Sequence, residues 1–231
     1  MNGTNVTSGP WAWPEQPFPA VRWLSAPVTV LLLRLPLSAN AITTLSAACG
    51  VAAGILAMGA SRSAWTASGI LMILCYVLDN CDGEVARAKR QTSEFGRHYD
   101  TAVDWLVHGF FFLALGLGWS NALGVAWPAW TGAFAAAGAT MNYALGLLLD
   151  RLDRRDNGAP GGALEGPAAH PRGSLEWTLF AFRELFRADF CFLVLLLGVT
   201  NTLWLLLPAA ALGAQLYWMG QFSRAARRFH V

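Results

Sequence analysis

Charge is scarce in this 231-residue chain: 13% of its residues are Asp, Glu, Lys or Arg, about half of the ~25% usual in a soluble domain. That scarcity excludes intrinsic disorder, which needs a polar and highly charged chain. Lysine is nearly absent, with Lys89 alone against 15 arginines, and this bias reads as genomic base composition rather than mechanism. Cysteine is sparse as well. Cys49, Cys75, Cys81 and Cys191 show no paired spacing, which excludes a secreted disulfide scaffold. The formal net charge is only +2 and the arginines are spread over several short segments, so no nucleic-acid partner is expected.

What the chain does have is apolar sequence in long blocks. It is 55% hydrophobic, with a mean hydropathy of +0.41. At ~20 residues per span plus loops, the length suits an all-α polytopic membrane protein of six transmembrane helices. The apolar stretches run at roughly 41–60, 64–86, 100–120, 125–149, 176–199 and 201–223. Residues 1–17 form a polar tail, and no positive segment precedes an apolar core there, so no secretory signal peptide is read. Asn2-Gly3-Thr4 and Asn5-Val6-Thr7 match the glycosylation pattern, but by chance, because this end is expected in the cytoplasm. Residues 18–37 mix Trp23, Leu24, Val28, Leu31 and Leu32 with Arg22, Arg34, Pro27 and Pro36, the mark of a juxtamembrane amphipathic helix lying in the interface. Residues 38–231 are then the six-helix transmembrane catalytic domain. The Gly-, Pro-, Asp- and Arg-rich loop at 150–173 is long enough to suggest a function of its own.

Six spans place both termini on one side of the membrane. All Lys and Arg except Arg62 then fall on that side, 15 against 1, and the positive-inside rule makes it the cytoplasm. The expected location is the inner membrane of a bacterial or archaeal cell.

The informative stretch runs from Leu78 to His108. Asp79, Asp82, Asp100 and Asp104 sit at the cytoplasmic ends of spans two and three. Asp79 and Asp82 are three apart and Asp100 and Asp104 four apart, so each pair shares a helix face. If the two spans pack as neighbours, four carboxylates converge. An Asp at helix-centre depth costs about 2.5–3.5 kcal/mol, so four facing one another would cost on the order of 10 kcal/mol, comparable to the whole stability of a domain. Sites nearer the interface cost less, but the sign holds: cations fill the site or some carboxylates are protonated. An all-carboxylate site suits Mg²⁺ or Mn²⁺, not Zn²⁺. Four carboxylates suffice for two divalent cations about 3.5–4 Å apart, the arrangement that clamps a phosphoryl group. Gly83 and Gly96 lie on the same stripes, and a position without a Cβ lets a nucleotide approach the backbone. Arg87, four residues after Gly83, is placed to take a phosphate oxygen.

The spacing D-x2-D-G-x2-A-R-x8-G-x3-D-x3-D resembles the signature of the CDP-alcohol phosphatidyltransferase family. Asp79, Asp82, Gly83, Ala86, Arg87, Gly96, Asp100 and Asp104 match every fixed position. The stretch Leu37-Ser38-Ala39-Asn40-Ala41-Ile42-Thr43 is similar to the family's P-N-x-I/L-T opening of span one, with Ala39 where proline is usual. The resemblance implies six spans, a juxtamembrane helix and often a homodimer. It implies transfer of a substituted phosphate from a CDP-linked lipid, of the CDP-diacylglycerol type, to a polar alcohol with release of CMP. It further implies that Asp79, Asp82 and Asp100 ligate metal and that Asp104 serves as ligand and general base. Gly83, Ala86, Gly96 and Asn40 would line the nucleotide and diphosphate site, with Arg87 on phosphate. Some members instead move a headgroup from a CDP-alcohol to a lipid alcohol. A base is needed because an alcohol is a poor nucleophile until a carboxylate takes its proton.

For the acceptor, Arg183 and Arg187 lie four apart near the cytoplasmic end of span five. They suit inositol phosphate or glycerol phosphate, or they serve as positive-inside anchors paired with Glu184 and Asp189. Arg151, Arg154 and Arg155 read as a solvated cluster facing lipid headgroups. His108 reads as a buried structural histidine before a group that orders a ligand, and Asn142 and Tyr143 as weak cavity candidates. Trp119, Trp127 and Trp130 read as an aromatic belt. Gly116, Gly118, Gly132 and Gly138 read as close-packing positions. The rival from another class is a cation transporter, since intramembrane Asp also mark ion paths. Against it, the four Asp gather at one face and no inverted repeat is visible.

Overall fold

The computed structural model describes residues 19–157 and 189–229, and within them the chain forms helices without strands. In chain order these are α1 (Val21–Leu33), α2 (Ala39–Ala57), α3 (Arg62–Ala88), α4 (Glu94–Leu123), α5 (Trp127–Asn157), α6 (Phe190–Val199) and α7 (Leu206–Phe229), with a 3-10 turn at Leu203–Leu205. Among the described residues, five helical stretches are long and apolar enough to cross a membrane: Ala39–Ala57, Arg62–Ala88, Glu94–Leu123, Trp127–Leu152 and Leu203–Arg227. Of the apolar stretch expected at 176–199, only the end, as the ten-residue α6, lies within the described residues.

Serine starts three of these helices. Ser38, Ser61 and Ser93 are extended and accept from the backbone N–H of Ala41, Ala64 and Gly96 at 3.2, 3.4 and 3.0 Å. Each satisfies one of the orphan donors of a first turn. The Ser93 cap corrects the expected edge of span three: α4 begins at Glu94 instead of near residue 100. The helix continues past the apolar sequence because its hydrogen-bond ladder does not depend on lipid. The same holds for α3, which runs to Ala88. All four signature aspartates therefore lie inside helices.

The packing order differs from the simplest expectation. Helices α3 and α4 meet through side chains, Trp65 on Trp119 and Tyr76 on His108, more than through close backbone contact, and α2 packs on both. Helix α2 is made for that place, with Ala, Gly, Ser and Thr through most of its length. A Cβ on Gly50 would fall 2.5 Å from the Val107 side chain of α4 and 3.1 Å from Cys75 Sγ of α3. Only glycine allows both walls to close on α2. Helix α3 also carries α1 and α6, while α4 packs on α5 and α5 on α7. At the α4–α5 crossing, a Cβ on Gly116 would sit 2.6 Å from Pro128 O and one on Gly132 2.5 Å from Phe112 O, so the two backbones touch there. Trp65, Met72, Phe111, Leu115, Leu203 and Leu207 are fully buried in the shared core.

Helix α1 buries Val21, Ser25, Thr29 and Leu32, a stripe at helical spacing. It is fastened at both ends. The buried Asp189, just before α6, accepts from the N–H groups of Ala20 and Val21 at 2.8 Å each. Thr29 Oγ1 donates to Glu84 Oε2 of α3 at 2.6 Å. The lone lysine holds the α1–α2 connection, with Lys89 Nζ donating to Leu35 O and Leu37 O at 2.8 Å each. Gln91 Oε1 accepts from Ala39 N at 3.0 Å. Trp127 and Trp130 are exposed as a belt requires, whereas Trp119 is not part of one. Its ring packs on Trp65 at 5.3 Å and stacks on Trp204 at 6.3 Å.

Candidate metal centre and active site

With α2 as a wedge, the ends of α3 and α4 near the 89–93 connection enclose a space that their acidic side chains fill. Carboxylate oxygens of Asp79, Asp82 and Asp100 all lie within 4.8 Å of one another. Asp82 is buried, while Asp79 and Asp100 are half-buried. Asp104, one turn further along α4, is exposed and stands outside this group of three. So the spacing argument holds for the two pairs, and the structure divides the four into three that converge and one that flanks them.

Three oxygens at that separation, with no cationic side chain bonded to any of them among the described residues, are a hard, anionic donor set. That set fits Mg²⁺ or Mn²⁺. Like charges this close in a low-dielectric setting repel strongly without a counter-ion. Thr43 supplies one neutral constraint: its Oγ1 donates to Asp82 Oδ2 at 2.5 Å. Thr43 closes the span-one motif and escaped the sequence reading as a site residue. Its partner is 39 positions away, and no local spacing links them.

The nucleotide-site candidates gather around the same ends. Asn40 reaches α4: a Cβ on Gly96 would lie 3.3 Å from Asn40 Oδ1 and 3.2 Å from Ser93 Oγ. The Arg87 guanidinium folds back over Gly83, where a Cβ would meet Nη1 at 3.3 Å. Ala86 is half-buried beside it. Two glycines thus keep the floor low where Asn40 and Arg87 extend over it.

Other candidates fare differently. Arg183, Arg187 and Glu184 lie outside the described residues. Asp189 lies within them, and its two oxygens accept from the first turn of α1. Arg154 is no free headgroup-facing cation: its Nε is 3.1 Å from Asp150 Oδ2 and its Nη1 pairs with Glu94. Arg97 Nη2 also binds Asp150 at 3.2 Å. This cluster ties the C-terminal end of α5 to the first turns of α4. Tyr143 stacks on Trp105 with ring centroids 5.3 Å apart, and Asn142 Oδ1 is buried without a donor among the described residues. His108 accompanies the site one turn below Asp104. Its Nδ1 is 2.8 Å from Asp104 O and its Nε2 is 2.7 Å from the Tyr76 hydroxyl.

A protein of Rubrobacter xylanophilus named Bifunctional IPC transferase and DIPP synthase is 37% identical to this chain over 105 residues. That match covers 44% of this chain and 23% of the length of its relative. The sequence pattern described as CDP-alcohol phosphatidyltransferase matches residues 36–157. That range holds Asn40, Thr43, the four aspartates and helices α2 to α5. With its acidic centre inside the matched range and its helices long enough to cross a bilayer, the chain is an integral membrane member of the CDP-alcohol phosphatidyltransferase family.

Proposed function

We propose that this protein transfers a substituted phosphate from a CDP-linked lipid to a small polar alcohol in phospholipid biosynthesis, releasing CMP. The observation that carries the reading is the convergence of Asp79, Asp82 and Asp100 within 4.8 Å, beside two glycines and Arg87. In this reading Asp79, Asp82 and Asp100 hold two Mg²⁺ or Mn²⁺ ions, with Asp104 as a further ligand. Such ions neutralise diphosphate charge and stabilise the entering and leaving oxygens. Gly83, Ala86, Gly96 and Asn40 receive the nucleotide, and Arg87 binds a phosphate oxygen.

The exposed position of Asp104 supports its second role. A carboxylate on the open flank of the site can accept the proton of an incoming hydroxyl. The alcohol oxygen then bonds to the lipid-side phosphorus, the bond from that phosphorus to the bridging oxygen breaks, and CMP leaves with the electron pair. For the acceptor we propose a phosphorylated alcohol such as inositol phosphate or glycerol phosphate, bound through Arg183 and Arg187. The similarity to a protein named as an IPC transferase and DIPP synthase supports chemistry of this class. Six spans, an interfacial α1, a homodimer, and a cytoplasmic active site with cytoplasmic termini complete the proposal. The bias of 15 basic residues against Arg62 supports that orientation.

The test is CMP release by the purified protein in nanodiscs with Mn²⁺ or Mg²⁺ and CDP-diacylglycerol. Inositol phosphate, glycerol phosphate, inositol, serine, choline and ethanolamine are supplied in turn. Release that needs one acceptor and stops with EDTA is the expected result. A CDP-alcohol that supports turnover with diacylglycerol instead would reverse the donor assignment. Absence of CMP binding together with metal-driven cation flux would replace the transferase by a transporter.

A further inference from the structure

The two helices that supply the carboxylates have little close backbone contact with each other; Trp65 and Trp119 join them at the far end, so side chains must also fix their separation near the site. Helix α2 sets the spacing from behind. Across the gap itself, among the described residues, the side-chain hydrogen bond between α3 and α4 is that of Tyr76 to His108 at 2.7 Å. It lies one helical turn from the site on each side, since Tyr76 is three residues before Asp79 and His108 is four residues after Asp104.

The bond pattern is complete for neutral groups. The Asp104 carbonyl only accepts, so His108 Nδ1 carries the proton and donates to it at 2.8 Å. Nε2 is then an acceptor, and the Tyr76 hydroxyl donates to it. Tyr76 is buried, its ring is edge-on to the imidazole at 5.8 Å, and the imidazole rests on Phe190 of α6 at 6.1 Å. Neither partner has rotational freedom to spare. A tyrosine hydroxyl this deep needs its one partner, which selects one register of α3 against α4.

We infer that Tyr76 and His108 form a positioning clamp that sets the distance between the α3 carboxylates, Asp79 and Asp82, and the α4 carboxylates, Asp100 and Asp104. Neither residue touches substrate; both act through the acidic residues one turn above. The inference rests on the proposed function for its catalytic arm and on the carboxylate group alone for its metal arm.

The experiment uses the full-length protein in nanodiscs. Mn²⁺ affinity is read by electron paramagnetic resonance, together with kcat, acceptor KM and thermal midpoint. The variants are Tyr76→Phe, His108→Ala, the two combined, and His108→Gln. With a clamp, Tyr76→Phe weakens Mn²⁺ binding and lowers kcat, each about tenfold, while acceptor KM stays put. His108→Ala does the same, the double variant is no worse than either single one, and His108→Gln recovers part of the loss. A lower thermal midpoint with wild-type Mn²⁺ affinity and kcat would show a merely structural contact and overturn the inference. Additive losses in the double variant would overturn it too. If the unaltered protein binds Mn²⁺ but releases no CMP with any donor, the proposed function fails and the Mn²⁺ series still decides the clamp. If it binds no Mn²⁺, both fall.

Discussion

Thr43 Oγ1 donates a 2.5 Å hydrogen bond to Asp82 Oδ2, joining the start of one helix to the acidic face of the next. The bond engages one carboxylate oxygen and fixes the direction in which the group points. Partners of this kind around a metal ligand carry much of a site's affinity. Thr43→Val keeps the shape and removes the donor. The expected result is a 10–100-fold loss in Mn²⁺ affinity or kcat, with most of it recovered by Thr43→Ser. Titration of Mn²⁺ into the purified variants checks it.

The division of the four aspartates into three and one predicts two classes of variant. Asn at position 79, 82 or 100 removes a convergent oxygen and its charge, and Mn²⁺ binding is expected to vanish along with CMP release. Asp104→Asn is expected to keep most of the Mn²⁺ affinity while kcat falls by about 10²–10⁴-fold, the usual contribution of a general base. Parallel metal titrations and CMP-release assays separate the classes. Equal loss of metal from all four would assign Asp104 to the convergent group.

Gly96 gives a prediction about the nucleotide. A methyl there would press on Ser93 Oγ at 3.2 Å and Asn40 Oδ1 at 3.3 Å, and relieving such crowding costs of the order of 1–3 kcal/mol. Asn40, on the more flexible side chain, is the one that moves. Gly96→Ala is therefore expected to weaken CMP binding about tenfold with little change in thermal midpoint, since alanine favours the helix. Calorimetry with CMP and Mn²⁺ reads both effects.

Asp189→Ala addresses the fold instead. It strips the partner from the N–H groups of Ala20 and Val21, a helix-cap loss of about 1–2 kcal/mol, which lowers the thermal midpoint by about 2–8 °C in a chain of this size. Mn²⁺ affinity is expected to stay unchanged, because neither α1 nor Asp189 bonds to the convergent aspartates. A loss of metal binding in a folded Asp189→Ala protein would contradict this.

Local spacing carried the site further than it carried the architecture. Asp79, Asp82, Asp100 and Asp104 were legible because i to i+3 and i to i+4 positions share a face on any helix, whatever surrounds it. The helix ends were less so. Apolar stretches mark where lipid stops, whereas α3 and α4 stop at Ala88 and start after Ser93, where capping and turn chemistry decide. Ser93 followed by Glu94 and Gly96 was a readable cap that the hydropathy pattern masked. The placing of α2 between α3 and α4 was not readable, and with it went Thr43 and Tyr76, whose partners are set by tertiary register across 39 and 32 residues. Arg154 was misread for a related reason: a cluster of arginines looks solvated until Asp150 and Glu94 are brought beside it.

The cap on α1 also constrains the order of synthesis. Val21 and its acceptor Asp189 are 168 residues apart, and at about 5–20 residues per second the ribosome needs roughly 10–30 s to deliver one after the other. Through that interval α1 can rest on α3, which is already made, but its first N–H groups lack Asp189 and must be served by water or lipid headgroups. Helices α2 to α5 emerge in the meantime, so the carboxylate-bearing part of the protein is synthesised before the first turn of α1 gains its acceptor.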